Sequence, residues 1–165
     1  MNQKHFAWTE LFKNKKNKKM KKIMIALVMI VTVATSAFAG EEKIDQKVVE
    51  AFKKEFTGAS EESWLVKKNV YQVSFTYNGR KISAFYDKKG YLLGVTRYIL
   101  STDLPYFLQK ELKEYYEEYW VTGLFELSNE EGTSYYVTLQ NADSKIILSS
   151  KEQNSWEFFN EYKNQ

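Results

Sequence analysis

Catalysis by this sequence would have to rely on carboxylates, lysine or tyrosine alone. The chain has 165 residues, no cysteine and one histidine, His5. Without cysteine there is no thiolate nucleophile and no thiolate zinc ligand. A single histidine near the amino terminus is also a poor basis for a nucleophile–histidine pair. Adjacent acidic residues occur at three places: Glu61-Glu62, Glu117-Glu118 and Glu130-Glu131.

These acidic pairs do not have the pattern of a hydrolase site. A glycosidase needs two carboxylates that face each other across a cleft, but the pairs fall at predicted turns or helix ends. We interpret them as solvated surface. Asp87-x-x-Gly90 lacks the further ligand positions of a calcium loop and is typical of a hairpin turn. We therefore predict no catalytic residues, no metal ligands and no cofactor, and a protein that is not an enzyme.

The most specific motif is an export signal. Met20 and two lysines form a short positive start, and Ile23–Val33 is an apolar run of eleven residues. Ala-Phe-Ala then supplies the small residues that a signal peptidase reads. We predict a signal peptide over 20–39, cleaved between Ala39 and Gly40, and a mature protein that is periplasmic or secreted.

Two predictions about this segment have alternatives: its cleavage and the position of the true start. A retained membrane anchor is disfavoured because Ile23–Ala39 has 17 residues, whereas a span needs about 20 predominantly apolar ones. We thus expect no stable anchor after cleavage. Residues 1–19 are either an extended basic n-region or the product of a mis-called start codon. The run Lys13–Lys19 has no apolar periodicity, which favours Met20 as the true start.

The net charge changes sign when the signal is removed. The full chain carries +3, with 24 basic and 21 acidic side chains. Residues 1–39 hold eight of the basic residues and one acidic residue, so 40–165 carry 16 basic and 20 acidic residues, a net charge of −4. His5 is lost as well. A mildly acidic domain does not have the electrostatic pattern of a nucleic-acid-binding protein.

The pattern of elements occurs twice. A helix is predicted over Ile44–Phe56 and a second after Thr102 or Asp103, each followed by strand-like runs. Asn78-Gly79 is a strong hairpin signal. An offset of 64 residues aligns the strand patterns of the two halves without a gap. The repeats span residues 44–98 and 102–162.

We therefore predict a single domain over 40–165 of the α+β class. It would consist of two α-β-β-β-β repeats that form an antiparallel sheet with helices packed on one face.

Several motifs resemble those of the PepSY-like family, which is described as having a fold like beta-lactamase inhibitory protein. They cover most of residues 44–160, although the second repeat lacks the Asp and Gly of the usual turn. The resemblance implies a small exported domain, usually without assigned activity. Related PepSY domains are proposed to restrain peptidases. The matching motifs are Val48-x-x-x-Phe52-x-x-x-Phe56, Trp64, Tyr71-x-Val73-x-Phe75, Ala84-x-Tyr86-Asp87-x-x-Gly90 and Leu104-Pro105.

Strand alternation divides the predicted sheet into two faces. One face is apolar and should contact the helices. The other is polar, with three large apolar side chains that could anchor a partner. We predict that this second face binds a protein or peptide, with inhibition or regulation of an envelope peptidase or other hydrolase as the alternative. The candidate contact residues are Phe85, Tyr136, Ile147, Gln72, Lys81 and Thr138.

A second group of aromatic residues lies where the second helix should end. Tyr115, Tyr116, Tyr119 and Trp120 follow one another at spacings that suit a helix and the strand after it. We expect most of this group to pack in the core and to hold the second helix against its strand.

Overall fold

A computed structural model describes residues 44–67, 69–151 and 154–163. The predicted signal peptide, its cleavage point at Ala39 and Gly40, and residues 1–19 lie outside the described residues. No helix in the described part of the chain is long and apolar enough to cross a membrane.

The described chain contains two α-helices, one short 3-10 helix and eight strands. The helices are α1 (Gln46–Glu55) and α2 (Tyr106–Tyr115), and the 3-10 helix is Ser101–Asp103. The strands are β1 (Ser60–Lys67), β2 (Val70–Tyr77), β3 (Arg80–Asp87), β4 (Leu92–Tyr98), β5 (Trp120–Asn129), β6 (Gly132–Gln140), β7 (Ser144–Ser150) and β8 (Glu157–Lys163).

All eight strands form one antiparallel sheet, and each strand pairs with its neighbours in chain order. Hairpins connect most of the pairs. The exception is β4 with β5, because the 3-10 helix and α2 lie between them in the sequence. Four residue pairs, from Val95↔Ser128 to Tyr98↔Phe125, form this junction. It is reinforced across the sheet surface by Arg97, which donates two hydrogen bonds to the Glu126 carboxylate.

The two helices cover separate hydrophobic clusters. The first cluster lies under α1 and the second under α2, and both use the same face of the sheet. Members of the first are Val48, Phe52, Val73, Phe75, Ala84 and Tyr86. Members of the second are Leu104, Leu108, Leu124, Tyr135, Val137, Leu139, Leu148 and Trp156.

Local chemistry fixes each helix. The Asp45 carboxylate accepts a hydrogen bond from the backbone N–H of Lys47 at 3.0 Å, so Asp45 caps α1 as its residue type predicts. The prediction that the second helix begins after Thr102 or Asp103, with one of them as its N-cap, is wrong. Asp103 accepts from the backbone N–H of Leu100 and belongs to the 3-10 helix, and α2 begins after Pro105. The indole N–H of Trp156 donates to the carbonyl of Leu108 at 3.0 Å and fastens α2 to the sheet.

The predicted α+β class, with two α-β-β-β-β repeats, is wrong as a description of this fold. The protein is a β-rich single sheet of eight strands, accompanied by two helices of ten residues each. The prediction gave the helices too large a share of the core. Within α2, Phe107 and Tyr115 are 62% and 71% exposed, and Leu108 is the fully buried residue.

Replacing Phe52 tests where the core lies. Phe52 is fully buried and contacts the rings of Trp64 and Phe75. Because the cavity cannot fill, Phe52→Ala should lower the free energy of unfolding by about 3–5 kcal/mol. Phe107→Ala on the other helix is the matched control and should change it by less than about 1 kcal/mol. Urea denaturation followed by circular dichroism measures both. Equal losses would contradict this assignment of the core.

Candidate functional site

The sheet face opposite the helices is the candidate site. Cross-strand register places its residues in rows that run across the strands. Gln72 lies opposite Phe85, and Phe125 lies opposite Tyr136. The two hydrophobic clusters under the helices include none of the buried apolar residues of this face: Phe85, Phe125, Leu127, Tyr136 and Ile147.

An aromatic row crosses the middle of this face. Tyr98 on β4 meets Phe125 on β5 edge to face, with ring centroids 6.3 Å apart. Phe125 stacks on Tyr136 of β6 at 5.2 Å and an interplanar angle of 13°. Tyr136 meets Phe159 of β8 at 5.5 Å, nearly perpendicular. These centroid distances are in the range at which aromatic pairs attract each other. The row therefore couples strands from both halves of the sheet.

Short hydroxyl side chains lie on β2 and β3 of the same face. The hydroxyls of Ser74 and Ser83 lie 2.9 Å apart on neighbouring strands. The Gln72 amide nitrogen donates to both at 3.3 and 3.5 Å, and its buried Oε1 has no partner among the described residues. Side chains this short would let the backbone of a bound segment approach the sheet closely.

The six predicted contact residues share this face but differ in exposure. The side chains of Phe85, Tyr136 and Ile147 are 0–1% exposed, and Thr138 is also buried. Gln72 is half-buried and Lys81 is exposed. Strand alternation predicts which face of the sheet each residue lies on, but it does not predict how far each side chain is buried. Their role as contact residues stays a prediction.

Tyr98 is an exposed residue of this face that sequence reasoning missed, as it missed the buried Phe125. Its side chain is 66% exposed, although its ring contacts the buried Phe125. Ile82 pairs with Arg97, so Lys81 and Tyr98 occupy neighbouring positions on the same face. The alternation of Tyr98 with Thr96 along β4 could have indicated this position.

The aromatic group at the end of α2 is only half in the core. Tyr116 and Tyr119 pack against the second cluster, with ring centroids 6.2 Å apart. Tyr115 and Trp120 are instead 71% and 67% exposed. The expectation that most of the group is core is therefore wrong, because α2 ends at Tyr115 and its spacing does not continue into β5.

A groove of about 400 Å³ lies beside this aromatic group. It is partly apolar, with Leu139 of β6 buried within its lining. Its charged side chains are one lysine and one glutamate. The residues that line it are Ser101, Gln109, Leu112, Lys113, Tyr116, Glu117, Tyr119, Val121 and Leu139.

Burial dominates the electrostatics of the tyrosines. Desolvation, with a smaller contribution from Glu131, raises the pKa of Tyr136 to about 12. The pKa of Tyr86 is also raised, first by burial and then by the nearby Glu55 carboxylate. Both hydroxyls are therefore neutral at physiological pH. They act as hydrogen-bonding groups and not as anions.

The described residues contain no group of three or more His, Cys, Asp or Glu side chains placed to hold a metal ion. The aromatic face also presents hydroxyl and amide side chains, among them those of Ser74, Ser83 and Gln72.

No protein-family model matches the sequence, and no curated protein matches it. Solved structures with a similar fold do exist. A BLIP-like protein from Bacteroides fragilis has a TM-score of 0.61 at 22% identity, covering 72% of this chain and 85% of its own. A DUF2874 family protein from Bacteroides uniformis has a TM-score of 0.64 at 14% identity, covering 72% and 88%.

A third similar structure, from Bacteroides eggerthii and provisionally named a periplasmic protein, has a TM-score of 0.64 at 12% identity, covering 72% and 88%. These likenesses show a BLIP-like fold. The resemblance to the PepSY-like family stays a prediction from the residues.

The raised pKa of Tyr136 predicts a loss of stability in alkali. The folded-state value of about 12 exceeds the ordinary value of 10, so the contribution is complete below pH 10 and is lost as pH rises through 12. Tyr136→Phe should reduce the loss between pH 10 and 12 by on the order of 2 kcal/mol. Thermal unfolding across this range measures it, with Tyr91→Phe at an exposed position as control. Identical slopes in wild type and Tyr136→Phe would refute the prediction.

Proposed function

We propose that this chain is an exported, non-enzymatic module of PepSY-like type that binds a protein or peptide through the face opposite its helices. The observation that carries the proposal is the aromatic row, which runs from buried Phe125 and Tyr136 to exposed Tyr98. A rigid aromatic row that reaches solvent at one end is suited to anchor a ligand, because aromatic side chains contribute strongly at interface centres.

The position of the helices supports this choice of face. Both helices pack against the other side of the sheet, where they cover the two clusters. The face with the aromatic row is thus the broad surface that neither helix occupies.

Export is supported by the motif at residues 20–39 and by the provisional periplasmic name of the Bacteroides eggerthii neighbour. The mature protein would act in the periplasm or outside the cell. Its net charge of −4 gives it no electrostatic attraction to nucleic acid.

A second candidate function is inhibition or regulation of an envelope hydrolase. The name of the BLIP-like neighbour favours it. The two functions share one surface and differ in the identity of the partner. Fold alone does not choose between them, since one fold can serve many functions. A purified hydrolase partner whose activity falls when this protein binds would favour the second.

Removal of the signal can be tested directly. When the full sequence is expressed in an exporting bacterium, mass spectrometry of the exported protein should give an amino terminus at Gly40. Ala39→Leu should slow processing because a large side chain does not fit the site that the peptidase reads. Exported protein that retains Ile23–Val33 would instead indicate an anchor.

The face can be tested with one accessible aromatic residue. Partners captured by cross-linking from the cell envelope are purified, and affinity is measured by calorimetry. Tyr98→Ala should weaken binding at least about tenfold, since it removes the exposed end of the aromatic row. Tyr91→Ala is the matched control, because Tyr91 is equally exposed but lies in the β3–β4 turn. Unchanged affinity for Tyr98→Ala would rule out this face.

A further inference from the structure

Strand β5 extends further than the strand β4 that pairs with it. The register of the two strands ends at Tyr98↔Phe125, and one more hydrogen bond joins the Ile99 N–H to the Leu124 carbonyl at 3.1 Å. The chain then leaves the sheet and forms the 3-10 helix, whereas β5 already begins at Trp120. On its other side the start of β5 pairs with β6. The segment 120–123 is therefore paired with a described strand on one side only.

The free side of this segment is open to solvent. Among the described residues, 120–123 form no backbone hydrogen bond outside the ladder with β6. The side chains of Trp120, Val121 and Thr122 are all exposed. Unpaired backbone groups at the edge of a strand can pair with the extended backbone of another chain. The start of β5 thus offers hydrogen-bonding groups that an added strand would satisfy.

The groove of about 400 Å³ adjoins this free edge. Val121 is part of its lining, and so is Ser101, which follows the end of β4. Leu112 and Tyr116 form the wall on the side of α2, and Leu139 is buried within the lining. Ligand pockets typically have volumes of about 300–1,000 Å³. The groove is therefore large enough for an aromatic or branched aliphatic side chain.

Charge does not select the occupant of this groove. Lys113 and Glu117 are both exposed in the lining and carry opposite charges, so they offset each other. Selection comes instead from backbone pairing along β5 and from burial of apolar surface in the groove. A bulge between Val121 and Gly123 interrupts the ladder with β6 and limits the regular edge to a few residues. A short extended segment fits this edge better than a long strand does.

We propose that the free edge of β5 and the adjoining groove bind a short extended segment of a partner protein. The segment pairs its backbone with residues 120–123 as an added strand, and one of its aromatic or branched aliphatic side chains enters the groove. This site goes beyond the proposed function. It lies on the helix side of the sheet, where α2 and Leu139 form part of it, whereas the aromatic row lies on the opposite face.

Peptides selected from a random library displayed on phage test this proposal, with the protein expressed from its full sequence as the target. The selected peptides should share an aromatic or branched aliphatic residue within a stretch that lacks proline, because proline cannot donate a backbone hydrogen bond. Their binding should slow the hydrogen exchange of backbone amides within 120–123. Ser101→Trp, which fills the groove, should weaken binding at least about tenfold. Thr102→Trp is the matched control, because Thr102 is exposed in the same 3-10 helix but lies outside the lining.

The outcomes separate this site from the aromatic row. If Tyr98→Ala weakens binding of the selected peptides and Ser101→Trp does not, the peptides bind the aromatic row and only the groove proposal fails. Equal affinities of Ser101→Trp and Thr102→Trp, unchanged exchange at 120–123, or no reproducible peptide sequence would also overturn the groove proposal. Self-association that Ser101→Trp abolishes, seen by analytical ultracentrifugation, would identify a second copy as the occupant and overturn it.

A second variant separates a blocked groove from a folding defect. If Ser101→Trp lowers the melting temperature, Lys113→Trp fills the groove from another exposed position of the lining. It should weaken binding to a similar degree. Lys110→Trp, at an exposed position on α2 outside the lining, is its matched control. Equal affinities of these two variants would overturn the proposal.

Discussion

The pairing of β4 with β5 is the contact on which the sheet depends. The other neighbouring strands are joined by short connections, but a 3-10 helix and α2 separate these two along the chain. The ladder has four register pairs and continues with a hydrogen bond from the Ile99 N–H to the Leu124 carbonyl at 3.1 Å. Arg97 and Glu126 bind each other on one surface, and Tyr98 contacts Phe125 on the other. Side chains on both faces therefore hold the two halves in register.

The junction has different consequences on the two faces. On the helix side the core is divided, because each helix covers the strands of its own half and the Arg97–Glu126 pair lies where the halves meet. On the opposite side the aromatic row crosses the same boundary without interruption. A ligand on that face would contact both halves, so its binding would depend on a junction that neither half makes alone.

Features fixed by neighbouring residues could be predicted from the sequence. Asn78 and Gly79 adopt the positive φ values, 51° and 73°, that their hairpin turn requires. The two faces of β2 and β3 follow from alternation alone. Other features depend on distant packing. Spacing could not show that α2 turns Phe107 outward, because Pro105 shifts the start of the helix. Alternation assigned Tyr136 to a face, but its burial depends on tertiary packing.

Where the sheet stops is a further consequence of its chain-order topology. The described strands end at β1 on one side and β8 on the other, and an unpaired strand can template aggregation. The register of β1 is irregular between Ser60 and Ser63, where Glu61 has a left-handed φ of 56°. This bulge contains Glu61 and Glu62, so it distorts the edge strand and places negative charge on it. The amino-terminal border is therefore poorly suited to stack onto another molecule, which helps an open sheet of this size to remain dispersed at high concentration.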